Sequence, residues 1–488
     1  MSKRVAALLV TAGVVGVLGD QLLRSEPWGV GAFLWIALSV GAALMFARVA
    51  APDRYPGFAI LLGTAVFFAG GIAWRDAERL KGWNVLAVLT ALTLGLLQIR
   101  GLRLRAGRLF DFFAGTIGAA VSTAAGAFIL AAKSLPSQDQ PHFRTTRAIR
   151  GVLIGIFITV PVIIVFGGLL VSADPVFERL VRQWFDWDFE QLVSHLRVVG
   201  FLSWIAAGYL HAVTAPDYHP LELRPPNSQP KLGFLEISIP LGALTLLFLT
   251  FVIVQVRYLF GGEELIRSMV DLTYAEYARR GFFELIALSG LVLPLLLVAE
   301  WCVDARESTT TRVFRILATA QLVLVGLIMA SAIERLRLYH ESYGLTEARF
   351  YAAAVMSWIA ASLAVFGLTV LRGRRERFVL GSLVAGFIVV GVLNLMNPDA
   401  VIARANIERA KEGRELDISY LSLLSADATP TVAAALPDLP PDVRCSVAEH
   451  LAEMSAQRTG SSWRSWSLGR SRADGAMDGV DSILGDCR

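Results

Sequence analysis

Apolar runs of about 20 residues, repeated along most of the chain, limit what it can fold into more than any other feature. A run of that length with few charges crosses a hydrocarbon core of about 30 Å as a helix. Such runs occupy residues 5–19, 28–47, 57–74, 83–99, 109–132, 151–172, 196–214, 234–256, 282–303, 313–333, 350–371 and 378–396, which predicts about twelve spans. Each must be helical, because lipid offers backbone N–H and C=O groups no partner and the period-2 alternation of a barrel strand is absent. Only 18% of the 488 residues are charged, against about a quarter in soluble domains, which excludes a soluble enzyme. The balance of 45 basic and 41 acidic residues, net +4, argues against a nucleic-acid partner. The first run follows Lys3 and Arg4 as a secretory signal would, but it ends in Leu18-Gly19-Asp20-Gln21 with no small-x-small cleavage pattern, so it reads as a retained span.

Lys and Arg counts on alternate loops come out nearly equal for the two orientations. The tight connection with Arg372, Arg374, Arg375 and Arg377 marks a cytoplasmic loop and places the C-terminus outside, with Arg144, Arg147 and Arg150 agreeing by parity. Arg100, Arg103, Arg105 and Arg108 want the reverse, or a fifth segment that fails to cross. Cys445 and Cys487 lie close to the C-terminus, and an oxidised pair needs a non-cytosolic face. Closing that loop would stabilise the tail by roughly 4 kcal/mol. Two free thiols in a cytoplasmic tail remain the alternative.

The expected architecture is all-α: a polytopic transmembrane helix bundle over residues 1–396 and a small C-terminal helical extramembrane cap over 397–488. The cap's first helix is expected at Asn397-Pro398, with Asn as N-cap, Pro at the first helical position and Asp399 facing the positive end of the helix dipole. Amphipathic interfacial segments are expected near 174–195 and 261–281. With twelve spans, parity gathers four polar segments on one face: 174–197, 261–281, 335–349 and 397 onward.

Local strings resemble a family of bacterial multi-pass membrane proteins known as domain of unknown function 4173. They are Ser172-Ala173-Asp174-Pro175-Val176-Phe177, Tyr277-Ala278-Arg279-Arg280-Gly281-Phe282-Phe283-Glu284-Leu285, Arg335-Leu336-Arg337-Leu338-Tyr339 running to Tyr343-Gly344-Leu345-Thr346, Asn397-Pro398-Asp399-Ala400 and Trp463-Arg464-Ser465-Trp466. The resemblance covers roughly residues 150 to 470 and implies a bacterial integral membrane protein in the plasma membrane, but no reaction, ligand or catalytic residue.

No phosphate loop, zinc-protease helix, paired-Cys motif or nucleophile elbow occurs, and His211 and His219 are too far apart in context for a metal pair. No metal, cofactor or catalytic residue is assigned. Asp111, Glu236, Glu284, Glu300 and Glu334 lie near membrane depth but within a turn or two of a span end, where interfacial pairing competes with function. Gln321, the most central polar group, suits a helix-to-helix hydrogen bond. Pro161, Pro240 and Pro294 interrupt three spans, and Ala114, Gly118, Ser122 and Gly126 form a small-residue packing stripe.

The candidate ligand site joins Tyr277, Arg279, Arg280 and Glu284 to Arg335, Arg337, Tyr339 and Tyr343, with Asp399, Arg404 and Asn406 closing from the cap. Guanidinium groups in that number suit a carboxylate, a phosphate or a lipid head group. An internal salt-bridge network locking the tail to the bundle explains the same residues. Three functions follow: transport or binding of a small anionic ligand or lipid head group under the cap, a non-catalytic structural or sensory partner of another membrane or envelope protein, and an enzyme acting on a lipid-linked substrate. The expected surroundings are the lipid bilayer and that protein partner, with the cap extracytoplasmic.

Overall fold

Each long apolar run folds as a helix because only a helix satisfies its own backbone in lipid. The computed structural model describes residues 3–107, 109–133, 189–215, 232–260, 282–303, 308–414, 416–458 and 462–487. The long helices are α1 (Lys3–Leu23), α2 (Val30–Ala50), α3 (Tyr55–Trp74), α4 (Glu78–Ile99), α5 (Leu109–Lys133), α6 (Phe189–Thr214), α7 (Phe234–Phe260), α8 (Phe282–Cys302), α9 (Ser308–Tyr343), α10 (Glu347–Thr369) and α11 (Phe378–Met396). Shorter helices follow: α12 (Pro398–Lys411), α13 (Ile418–Ser422), α14 (Thr429–Ala435), α15 (Pro441–Arg458) and α16 (Leu468–Asp486). Among the described residues, 11 helices are long and apolar enough to cross a membrane. The protein is a helical polytopic bundle.

The run expected at 151–172 and the amphipathic segment at 261–281 lie outside the described residues. Of the segment expected near 174–195, residues 174–188 also lie outside the described residues, and residues 189–195 form the first turns of α6.

Contacts at the helix ends fix the up-and-down order. Arg4 at the start of α1 donates to the Thr214 carbonyl at the end of α6 (3.3 Å), and Arg24, just past the other end of α1, reaches Ser194 near the start of α6 (3.0 Å). The Leu232 N–H donates to the Cys302 carbonyl (2.9 Å), and Arg375 pairs with Glu300 (3.2 Å), so the start of α7, the end of α8 and the α10–α11 turn share one side. The other side carries residues 398–487, which meet the start of α2 through the Val30 N–H and the Trp466 carbonyl (2.8 Å). The described helices therefore alternate without a break from α1 to α11, with the end of α5 and the start of α6 both on the side of this cap.

Apolar side chains form two cores within the bundle. Leu62, Phe68, Ala91 and Leu97 belong to the first, drawn from α1 to α6, and Phe248, Leu296, Ile328 and Phe366 to the second, drawn from α7 to α10. Val379 of α11 packs against both, so α11 runs along the seam. Close approach is set by small residues: a Cβ on Gly208 of α6 would overlap the Thr123 carbonyl of α5, and one on Gly126 would come within 2.9 Å of the Gly208 carbonyl. Gln321 donates to the Leu241 carbonyl (3.1 Å), tying α9 to α7 within the bundle. Asp20, buried in α1, accepts from Arg24 (2.7 Å) and pairs with His195 of α6.

The cap has its own apolar core, including Ile402, Leu424, Val432, Leu436, Ala448 and Val480. A disulfide joins Cys445 of α15 to Cys487 just beyond α16, while Cys302 is free and buried. At 36 residues, α9 is about 54 Å long, well beyond a bilayer core, and its last turns carry Tyr339 and Tyr343 out to the cap.

Gly208→Val forces a side chain into the α5 backbone, and overpacking of this kind costs about 1–3 kcal/mol. It is expected to lower the melting temperature in detergent clearly, whereas Gly41→Val, where a Cβ meets nothing within 4 Å, leaves it nearly unchanged.

Candidate functional site between bundle and cap

The turn between α3 and α4 is only three residues long, Arg75-Asp76-Ala77, and all three are buried. So tight a turn leaves backbone N–H groups at the start of α4 without helical partners. Asp427 of the cap supplies the acceptor: its Oδ2 takes the N–H of Asp76 (2.5 Å) and of Ala77 (3.1 Å). Asn397 donates to the Asp427 backbone carbonyl at 3.2 Å, fixing that residue from a second direction.

Arg75 faces the opposite polarity. Its guanidinium donates to the Asn394 carbonyl (2.8 Å) and the Leu395 carbonyl (3.4 Å) at the C-terminal end of α11, where the helix dipole is negative. It stands 3.8 Å from the Asp427 carboxylate and 4.6 Å over the Trp74 ring. Asp76 then binds two cations, Lys81 of α4 (2.9 Å) and Arg470 of α16 (2.8 Å), and Arg470 also donates to the Ser465 carbonyl (2.8 Å). Below this layer Asn84 and Asn394 exchange amide hydrogen bonds at 3.0 and 2.8 Å, against Gly71, where a Cβ would lie 2.7 Å from both amides.

Asp399, fully buried at the second position of α12, accepts the Ser425 N–H on Oδ2 (2.9 Å), while its Oδ1 has no hydrogen-bond partner. Asn397 caps α12 with its side-chain oxygen toward the Ala400 N–H, and Pro398 occupies the first turn. At the rim Arg79 pairs with Glu347 (2.9 Å), whose own N–H donates to the Tyr420 hydroxyl (2.7 Å).

Electrostatics separate the carboxyl groups. Burial pushes Asp76 up, but Lys81 and Arg470 outweigh it and hold the group below its ordinary value. Burial raises Asp427 despite its two N–H donors and Arg75, and burial likewise raises Asp399 despite Ser425. Arg75 is lowered by burial, with Asp427 opposing.

The residues singled out from sequence are distributed differently. Tyr277, Arg279 and Arg280 lie outside the described residues, and Glu284 is exposed in the first turn of α8. Arg335 is buried in α9, whereas Arg337 pairs along the same helix with Glu334 (3.1 Å) and Glu341 (3.7 Å). Tyr339 packs on Tyr343 at 5.0 Å and lies under Arg349 at 3.8 Å. Asn406 clamps the α9–α10 turn, accepting from the Leu345 N–H (2.8 Å) and donating to its carbonyl (2.9 Å). Arg404 is exposed on α12. Asp399 and Asn406 thus reach the junction with the bundle, but Glu284, Arg337 and Arg404 do not converge with them. Among the residues near membrane depth, Glu300 pairs with Arg375 and Glu236 accepts the Gly233 N–H at 2.6 Å.

Arg75, Asp76, Lys81, Asn394, Asp427 and Arg470 were not singled out from sequence. A signal existed in Lys81 and Asn84, two polar residues one turn apart at the start of an apolar helix, but the partner of Asn84 is 310 positions away, and the Asp76 that Lys81 meets is tied to Asp427 only through the fold.

Asp427→Ala leaves two buried N–H groups without their acceptor and Arg75 without its carboxylate, and is expected to cost about 3–5 kcal/mol, read as a lowered melting temperature and faster proteolysis of the cap. For Asp399, the folded state favours the protonated acid, so its contribution is fully present below the ordinary value of 3.8 and is lost as pH rises through the raised value. Asp399→Asn is therefore expected to melt above the wild type at about pH 7.5 and to converge with it near pH 4.

A family described as domain of unknown function (DUF4153) matches residues 57–435, from α3 to the end of α14. The matched stretch contains Arg75, Asp76, Asn394 and Asp427 and stops before Arg470 and both disulfide cysteines. No curated protein and no solved structure matches the chain. The match is to number 4153 and not to number 4173, which the local strings resemble; both are domains of unknown function. With residues 57–435 of its 488 matched, the chain belongs to the DUF4153 family.

Proposed function

We propose that this protein is a non-catalytic structural or sensory membrane protein that holds its cap on the extracytoplasmic face as a docking element for another membrane or envelope protein. The observation that carries this reading is the buried ionic node. Arg75, Lys81 and Arg470 are all engaged with Asp76, Asp427 or backbone carbonyls, so the node fixes the cap to α4 and α11 instead of holding donors ready for a ligand. Such a link moves cap and seam as one body, which suits transmission of a docking event into the bundle.

Capture of an anion beneath the cap is less well supported, because the expected guanidinium groups of Arg337 and Arg404 do not meet there. A lipid-linked enzyme reading has Asp399 closed off by burial and Glu284 exposed in the first turn of α8.

Three observations support the orientation. The α4–α5 connection, with Arg103 and Arg105, and the α10–α11 connection, with Arg372, Arg374, Arg375 and Arg377, both lie on the side away from the cap. Two basic connections that oppose one another in a twelve-span count agree in the unbroken alternation of α1 to α11, and the bias of Lys and Arg toward the cytoplasm then puts the cap outside. The Cys445–Cys487 disulfide requires an oxidising compartment.

In intact cells carrying Cys302→Ser, an impermeant maleimide is expected to label Cys445 and Cys487 only after reduction; labelling that needs lysis overturns the orientation. For the docking role, a photocrosslinking residue at Leu423, 77% exposed on the cap, is expected to give a discrete heavier adduct in intact cells that Asp427→Lys abolishes. Absence of any adduct from Leu423 and Trp463 overturns it.

A further inference from the structure

Between α9 and α10 an open apolar cavity of about 960 Å³ runs from Leu336 and Ala353 near the cap to Thr319 and Arg372 on the side away from the node. Gly326 and Ala330 of α9 face Ala360, Ala364 and Gly367 of α10 across it, and the absence of bulk at these positions makes the space. A second, more polar cavity of about 630 Å³ shares Thr319 with the first and is lined by Ser308, Thr311, Arg312 and Arg315. Arg372, at the end of the apolar cavity, stands beside this polar mouth, because a Cβ on the neighbouring Gly373 would lie 3.7 Å from the Arg315 guanidinium. Gly373 has φ +75°, which turns the chain sharply enough to bring Arg372 back toward α9.

Arg312, Arg315 and Arg372 are exposed, and none forms an ion pair with a carboxylate among the described residues. In this they differ from Arg375 of the same connection, which is paired with Glu300 at 3.2 Å. Thr311 adds a buried hydroxyl without a hydrogen-bond partner. The mouth also lies at the start of α9, where the first N–H groups have no helical acceptors and the dipole is positive.

From this arrangement we infer that the α9–α10 groove binds an anionic phospholipid of the leaflet away from the cap, its acyl chain along the Gly326–Ala364 face and its phosphate among Arg312, Arg315 and Arg372. Charge complementarity selects the occupant. An apolar helix fills the groove but brings no anion to three guanidinium groups that have no carboxylate partner among the described residues, and a zwitterionic head group sets its own cation beside its phosphate, whereas an anionic phospholipid offers a phosphodiester with no such cation to all three. The apolar cavity alone, about 960 Å³, is within the range of ordinary ligand pockets, about 300–1,000 Å³. This site is separate from the cap, so it stands or falls independently of the docking role.

Native mass spectrometry of the delipidated full chain, titrated with dioleoylphosphatidylglycerol, tests the inference. A single tightly held lipid is expected, with dioleoylphosphatidylcholine at least tenfold weaker. Arg312→Gln/Arg315→Gln/Arg372→Gln is expected to abolish the preference between the two head groups. Gly326→Leu fills the groove from a position where a Cβ meets nothing within 4 Å, so the fold is kept, and is expected to lower occupancy at least tenfold with every arginine in place. An unchanged melting temperature in lipid-free detergent checks both variants. Equal binding of the two lipids, retained preference in the arginine variant, or equal displacement by millimolar inorganic phosphate overturns the lipid assignment. A crosslink from Ala360 to another segment of this chain or to a second copy, persisting in saturating phosphatidylglycerol, does so as well.

Discussion

A carboxylate taken out of water must be met by donors, and Asp427 is met by two backbone N–H groups of the α3–α4 turn, with the Arg75 guanidinium 3.8 Å away. The rest of the cap's placement depends on this contact. Arg75 is held in turn by the carbonyls that end α11, so one cluster joins an inter-helix turn, the end of the last span and the cap. Each part answers a need left by another: unpaired N–H groups at the start of α4, unpaired carbonyls at the end of α11, and a buried acid. Removing a member therefore exposes more than its own interaction, because the partners stay buried.

The node lies over the seam between two apolar cores. α11 packs against both and ends at the node, and the Asn84–Asn394 pair extends the polar contact one layer further into the bundle. In a medium as apolar as lipid, an amide pair has no water to compete for its hydrogen bonds, which makes it a specific lock between α4 and α11. Around the cap, exposed Trp28, Trp463 and Trp466 gather near the start of α2, where amphipathic rings suit the interfacial layer. The cap is thus held at its centre by charge and at its edge by aromatic surface.

The opposite side of the bundle has a different chemistry. There the α4–α5 and α10–α11 connections are short and basic with most of their guanidinium groups exposed, and the groove between α9 and α10 opens beside Arg372 of the latter. Positive charge near the membrane surface orients the protein, and where it borders an apolar groove it also offers a head group a place to sit.

Much of the bundle was legible in the sequence because span length, helix caps and small-residue spacing are local properties. Apolar runs gave the helices, Asn397-Pro398-Asp399 gave the start of α12, and Gln321 gave an interhelical hydrogen bond, since each depends on neighbours within a few turns or on the medium alone. The partners of the node were not legible. Asp76 and Asp427 are 351 positions apart, and a charge at the end of a span reads the same whether water, a head group or a distant acid satisfies it. Arg337 and Arg404 read as ligand donors for that reason; Arg337 pairs along α9 with Glu334, and Arg404 is exposed on α12. The side on which each basic connection falls depended on an exact count of crossings, which one additional apolar run at 151–172 is enough to invert. The sequence by itself determined that this chain is a helical bundle in lipid; only the tertiary structure decided which of its charges are buried together, because burial is a property of neighbours in space and not of neighbours in the chain.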